Sequence, residues 1–211
     1  MIKNIIFDFG GVLINLDYQR TYNAFKKLGI EDIKAAFSPL SQQALFDKLE
    51  KGQIEPEHFF EELRKISSIS MEDQQIINAW NAMLLDFPIE RIELLRKLKK
   101  DYRLFLLSNT NIVHYDEYFS NLQKEHQSNI FEDLFEKIYF SHQLGLRKPE
   151  PAIFKLVLEE NGLLAEETLF IDDVKSNIEP ASALGIKTLH LTSEKDLFSK
   201  LKGIINNSSV L

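Results

Sequence analysis

The stretch Thr168-Leu169-Phe170-Ile171-Asp172-Asp173 sets a short, mostly apolar run directly against two adjacent carboxylates. A run of this length bounded by polar residues reads as a parallel strand buried on both faces, with the acidic pair at its carboxyl end. The same arrangement recurs at Ile2–Phe7 before Asp8 and at Arg103–Leu107 before Ser108 and Asn109. Lys137–Phe140 and Lys187–Leu191 are further runs of this kind. Between them apolar residues fall at helical spacing, as in Ile89, Ile92, Leu95, Leu98 and in Ile153, Leu156, Val157. Strands alternating with helices imply βαβ crossovers, so the expected fold class is α/β, a doubly wound parallel sheet.

Residues 15–86 break the alternation. They hold the helix-like segments Gln19–Lys27, Leu40–Lys51, Glu57–Ile66 and Met71–Met83, with no convincing strand. Phe59, Phe60, Leu63 and Ile66 supply one apolar stripe. The expected organisation is a core of residues 1–14 and 87–211, interrupted by a helical cap of residues 15–86, with Phe87 and Pro88 marking the return to the core. Asn206–Ser209 reads as a frayed tail.

The 211-residue chain has no cysteine, and 32 acidic against 25 basic side chains give a formal charge of -7. No disulfide framework is possible, and the acidic balance without long basic runs argues against sequence-independent nucleic-acid binding. Met1–Phe7 has one basic residue and too short an apolar run for a signal peptide, and no later run approaches the length of a membrane span. The expectation is a cytoplasmic protein with neither nucleic acid nor membrane as partner.

Ligands of open α/β sheets bind beyond the carboxyl ends of the strands. Asp8, Ser108, Asn109, Asp172 and Asp173 fall there, and Lys148 lies after Lys137–Phe140, just before Pro149 and Pro151, which suit a helix start. Each has a structural reading of its own: Asp8 as a turn or cap residue, Ser108 and Asn109 as turn residues, Lys148 as a solvated side chain. Ser176 with Glu179 would form a capping box, leaving Asn177 a first-turn residue. Their joint position singles them out. Three carboxylates in a small space repel one another unless a cation is bound, and all-oxygen ligation favours magnesium. A carboxylate free to attack is a covalent nucleophile, while a hydroxyl, a backbone N–H near Asn109 and the Lys148 ammonium would hold phosphoryl oxygens. Together these groups describe phosphoryl transfer through an aspartyl phosphate.

Four ordered motifs carry a family resemblance: Ile-Phe-Asp8-Phe-Gly-Gly-Val, Leu-Leu-Ser108-Asn-Thr-Asn, Arg-Lys148-Pro-Glu-Pro and Phe-Ile-Asp172-Asp173-Val-Lys-Ser-Asn177. From about residue 2 to 191 the chain resembles the haloacid dehalogenase (HAD) superfamily. It is similar more narrowly to the bacterial α-D-glucose-1-phosphatase group and, in the last two motifs, to the phosphatase domain of soluble epoxide hydrolase. The resemblance implies a magnesium-dependent phosphatase of a small phosphorylated metabolite, a sugar 1-phosphate among the options. Asp8 would be the nucleophile, Ser108, Asn109 and Lys148 would bind phosphate, and Asp8, the Gly10 carbonyl and Asp173 would hold Mg2+, with Asp172 close by and Asn177 in support.

One position departs from the family pattern. Most members carry, two residues after the nucleophile, an Asp that serves as general acid and base, and here that residue is Gly10. Without it the expectation is a preference for aryl and anomeric phosphates over primary alkyl phosphates, the alternative being that a cap side chain or an ordered water replaces the missing carboxylate. The competing readings are a 2-haloacid dehalogenase and a non-catalytic phosphate-ligand sensor. Cap candidates for specificity are Tyr18, Arg20, Gln42, Gln43, Lys48, Trp80 and Asn81, among which Trp80 also suits a core and Gln42 and Gln43 a solvated face.

Overall fold

The computed structural model describes residues 1–31, 33, 43–126, 130–193 and 196–205. Five parallel strands form one sheet: β1 (Asn4–Phe7), β2 (Arg103–Ser108), β3 (Lys137–Phe140), β4 (Thr168–Asp172) and β5 (Lys187–His190), in the order β3-β2-β1-β4-β5. From β1 the chain builds outward through β2 to β3, then returns to place β4 on the other side of β1, so the switch point lies between β1 and β4. The register pairs Phe7 with Leu106 and with Ile171, which brings the residues after these strands to one edge.

Strand side chains alternate between two buried faces. Ile5, Phe7, Leu104, Leu106, Leu169 and Ile171 enter one apolar cluster. Ile6, Phe105, Leu107 and Phe170 enter the other, with Ile153, Phe154 and Val157 of a covering helix. Burial on both faces is why these strands read as continuous apolar runs.

The helices are α1 (Tyr18–Lys27), α2 (Gln43–Glu50), α3 (Pro56–Ile66), α4 (Asp73–Asn81), α5 (Ile89–Leu98), α6 (Ile112–His126), α7 (Ile130–Leu134), α8 (Ser141–Leu144), α9 (Pro151–Asn161), α10 (Lys175–Ala183) and α11 (Leu197–Ile204). Helices α1 to α4 pack around their own apolar cluster, which includes Phe25, Leu49, Phe59, Phe60, Leu63 and Trp80. The two chain segments joining this group to the sheet run side by side. Asn15 N donates to Asp86 O (3.0 Å), Leu85 N to Asn15 O (3.1 Å) and Asp17 N to Met83 O (2.9 Å), and Leu16 bridges Leu84 in antiparallel fashion.

Local details differ from the sequence reading. Ile66 and Ile89 are exposed rather than buried, each standing at an end of its helix where the apolar stripe runs off the core. No Ser176–Glu179 capping box forms, because α10 begins at Lys175 and Val174 N is already taken by the Asp172 side chain, whose Oδ1 accepts it at 2.7 Å. Pro151 does occupy the first turn of α9. The segment Leu40–Gln42 and the tail Asn206–Ser209 lie outside the described residues. No helix among the described residues is long and apolar enough to cross a membrane.

Candidate active site

At the end of β1 the chain turns sharply. Phe9 O accepts from both Leu13 N (2.8 Å) and Ile14 N (2.9 Å), and Gly11 N donates to Ile14 O (3.0 Å). Asp8 stands at the entrance of this turn, with Phe9 N donating to its Oδ1 at 2.7 Å. Gly11 takes a positive φ of +69°, and a Cβ there would sit 2.5 Å from Asp173 Oδ2. Glycine is therefore required twice, for backbone conformation and for the approach of a carboxylate.

Beyond β4 the two adjacent acids part company. Asp172 is wholly buried and fully engaged: Oδ1 accepts from Val174 N, Asn177 Nδ2 reaches both oxygens at 3.1 Å, and Oδ2 receives Lys148 Nζ at 2.8 Å. Asp173 is half-buried beside the Gly11 turn. Oxygen atoms of Asp8, Asp172 and Asp173 come within 4.8 Å of one another. Lys148, only 1% exposed, lies between the first two, with Nζ 2.7 Å from Asp8 Oδ1. The reading of Lys148 as a solvated side chain does not hold.

The loop that carries Lys148 is fastened to the end of β2 through its backbone. Asn109 Nδ2 donates to Lys148 O (2.7 Å) and Asn109 Oδ1 accepts from Lys148 N (2.8 Å). Next to it, Ser141 Oγ accepts from Thr110 N and donates to Thr110 O, both at 2.9 Å. The side chain of Asn109 is thus committed to positioning Lys148, leaving its backbone as the part that can meet a ligand. Ser108 is buried, and its hydroxyl makes one long 3.5 Å contact to Asn109 O.

Burial pushes the Asp8 carboxyl up to about 7 although Lys148 opposes it, and the nearby Asp172 charge adds to the rise. Asp173 is raised by burial and then by Asp172. Burial works against the Lys148 charge, but the carboxylates of Asp8 and Asp172 outweigh it and raise its pKa. The cluster is one of crowded negative charge around a single ammonium, and a cation would relieve the crowding.

A cavity of about 410 Å³ opens beside Gly11, Asp173 and Leu191, and two others are lined by Glu50 and Trp80. The smaller, about 170 Å³, is bounded on the sheet side by Gly10, Ser108, Asn109, Thr110 and His114. The larger of these two, about 400 Å³, lies among α1, α2 and α4 and includes Tyr22, Phe46, Asp47 and Arg147. Tyr18, Glu50, Trp80 and Met83 line both. Of the cap candidates read from the sequence, Tyr18 and Trp80 reach the cavities, while Asn81 is one step removed, accepting through Oδ1 from His114 Nδ1 at 2.8 Å. Arg20 lines a separate groove with Lys27 and Gln75, Lys48 is exposed, Gln43 begins α2, and Gln42 lies outside the described residues.

Glu50, Arg147 and His114 were not evident in the sequence. Arg147 pairs with Asp47 and, at 2.8 Å, with Glu50, while Lys51 meets Glu150 at 2.6 Å, so the end of α2 is clasped to the loop that carries Lys148. His114 stacks on Trp80 with centroids 5.0 Å apart, and burial lowers its pKa to about 3, keeping it neutral. The signal that could have found Arg147 is its place beside Lys148. Glu50 and His114 carry none, because their neighbours come from distant segments.

Known proteins share this architecture. A D-ribitol-5-phosphate phosphatase of Bacteroides thetaiotaomicron is 31% identical over 98% of this chain and 100% of its own. The crystal structure of a HAD family enzyme from the same organism, in complex with magnesium and inorganic phosphate, superposes with a TM-score of 0.81 at 42% identity, covering 90% of this chain and 94% of the other. A HAD-like hydrolase structure from Porphyromonas gingivalis gives 0.87 at 34% identity, covering 99% and 100%. Residues 2–185 match the haloacid dehalogenase-like hydrolase family. With its parallel sheet, its four motifs on neighbouring strand ends and relatives matched along nearly their whole length, the chain belongs to the haloacid dehalogenase-like hydrolases.

Proposed function

We propose that this hydrolase is a magnesium-dependent phosphatase that cleaves a small phosphomonoester, a sugar or polyol phosphate, through an aspartyl phosphate on Asp8. The observation that carries the reading is the Lys148 ammonium held between Asp8 and Asp172, beside a third carboxylate and a cavity lined by Ser108 and Asn109. The residues fit a magnesium ion: Asp8, Asp173 and the Gly10 carbonyl offer hard oxygen ligands, and the bare Gly11 leaves Asp173 room to approach. Asp172 is saturated by Lys148, Val174 and Asn177, so its part is to position Lys148 rather than to bind metal directly. Bound there, magnesium supplies positive charge to phosphoryl oxygens as they approach a carboxylate nucleophile.

The chain's own groups account for the remaining work. Phe9 N and Lys148 both hold Asp8 Oδ1, which fixes the carboxylate and leaves Oδ2 to attack phosphorus. The Ser108 hydroxyl and backbone amides after β2 would take phosphoryl oxygens, while Lys148 balances the charge of the transition state. Residues 15–86 act as a cap that keeps bulk water from the acyl phosphate and reads the organic part of the substrate. Support for a polyol or sugar comes from the ribitol phosphate named for the relative and from the aromatic and charged lining of the larger cavity.

Phosphate release from p-nitrophenyl phosphate with and without magnesium tests the reaction, and a panel of sugar and polyol phosphates tests the substrate class. Metal-stimulated release that is lost in Asp8→Asn supports the proposal. Phosphate binding without release would replace it with a ligand sensor, and halide release from 2-haloacids with a dehalogenase. Dehalogenase structures resemble this one at 18% identity, a likeness of fold alone.

A further inference from the structure

Expelling a sugar or polyol oxygen from phosphorus leaves an alkoxide, too basic to depart easily unless it receives a proton. Most groups near the reaction centre cannot give one. Asp8 attacks, Lys148 is locked between two carboxylates, and Asp172 has every oxygen engaged. Gly10 has no side chain, His114 is neutral with its Nδ1 turned to Asn81, and burial pushes the phenols of Tyr18 and Tyr118 up, which makes them poor acids. Among the described residues lining the smaller cavity, Glu50 carries the carboxyl. It also lines the larger cavity, so it stands where the phosphoryl pocket opens toward the organic part of a substrate.

We propose that Glu50, delivered by the cap, is the general acid and base of this enzyme. The inference rests on the phosphatase reading. In the first half-reaction Asp8 Oδ2 forms a bond to phosphorus, the ester P–O bond breaks, and the Glu50 proton passes to the departing oxygen, releasing the alcohol. In the second, water attacks phosphorus and gives its proton to the Glu50 carboxylate. The acyl P–O bond breaks, returning Asp8 and inorganic phosphate.

The surroundings suit both roles. Glu50 Oε2 is sealed from solvent 2.8 Å from Arg147 Nη2, yet the side chain as a whole keeps 26% of its exposure, so Arg147 holds the carboxylate without closing it off from the cavities it lines. One guanidinium serves two carboxylates, since Arg147 also pairs with Asp47. Burial raises the Glu50 pKa, Asp47 adds to the rise, and Arg147 with a smaller share from Lys148 opposes it, for a net increase. Lys51, its neighbour in sequence, is engaged with Glu150. Arg147 would steady the carboxylate that remains after proton donation, and the contact exists only while the cap is docked on the Lys148 loop.

The test is Glu50→Gln in the full chain with magnesium, on substituted phenyl phosphates from p-nitro to p-methoxy and on glycerol phosphate, in single-turnover and steady-state form. Wild type should show a shallow dependence of the chemical step on leaving-group basicity. In single turnover the variant should keep p-nitrophenolate release within about threefold and lose roughly 10² to 10⁴ on p-methoxyphenyl and glycerol phosphates. It should also show a burst of p-nitrophenolate, because the second half-reaction lacks its base, and lose the basic limb of the pH profile. A uniform fall of the single-turnover rate across the series, with parallel slopes and no burst, would assign Glu50 to clasping the cap and overturn the inference while leaving the phosphatase reading intact. No release by wild type from any of these esters would overturn both. Should Glu50→Gln melt below the assay temperature, Glu50→Asp serves: retained shallow slope supports the acid, a slope unchanged by further mutation to Asn refutes it.

Discussion

Gly11→Ala separates the backbone of the turn from the carboxylate beside it. Alanine at φ +69° carries a left-handed penalty of about 1 to 2 kcal/mol. Loss of glycine freedom in the unfolded chain returns about 0.4 to 1 kcal/mol. The net destabilisation is then about 1 kcal/mol, or roughly 2 to 4 °C in Tm for a chain of this size. The new Cβ would also lie 2.5 Å from Asp173 Oδ2 and 2.9 Å from its Cγ, so the Asp173 carboxylate has to move. Displacing a ligand should raise the magnesium concentration for half-maximal activity by about 10- to 100-fold, as disturbed metal shells do. Gly162→Ala is the matched control, with φ +61° and nothing within 4 Å of the added carbon. Thermal melting without metal should place both variants within about 1 kcal/mol of each other, whereas a magnesium titration of phosphate release should move only for Gly11→Ala. An unmoved titration in Gly11→Ala, or an equal shift in Gly162→Ala, would refute the assignment of Asp173 to the metal.

Asp8→Asn should lose turnover by several orders of magnitude and form no acid-quenchable phosphoenzyme, while circular dichroism stays that of wild type. Asn109→Ala removes both hydrogen bonds that fix the Lys148 backbone, so kcat should fall about 10- to 100-fold with a smaller change in KM, and an equal loss in KM would argue for direct substrate contact. His114 is held neutral with its pKa near 3, against an ordinary value of 6.5. Because the unfolded chain binds the extra proton between those values, stability should be fully present above about pH 6.5 and fall as pH drops toward 3. His114→Gln should flatten that acid limb in urea unfolding, and an unchanged limb would show that other groups cause it.

The sheet and the groups on its edge were legible because strands buried on both faces announce themselves as apolar runs, and each run here closes on polar residues. Asp8, Ser108, Asn109, Asp172 and Asp173 could therefore be placed from the sequence, and the structure brings all of them together with Lys148. What Asn109 does with its side chain was not legible, since a turn residue and a clamp on a loop 39 positions away look alike in one dimension. Glu50 was hidden for a similar reason. It follows Leu49, which is core, and an acid at the end of an amphipathic helix reads as solvated until Arg147 arrives from the loop that carries Lys148. The Ser176–Glu179 pattern misled because Asp172 had already claimed the helix entrance.

The paired segments at Asn15–Asp17 and Met83–Asp86 join the two ends of the stretch that we propose as a cap. For the sheet, the intervening chain is a closed loop hung from a single short ladder, and a loop costs only about 0.6 kcal/mol more for each doubling of its length. Cap size is therefore nearly free to drift without disturbing the register of β1 against β2 and β4. The ladder is one hold on the core, and the pairs of Arg147 with Glu50 and of Lys51 with Glu150 are a second, so α2 is seated against the Lys148 loop from two directions.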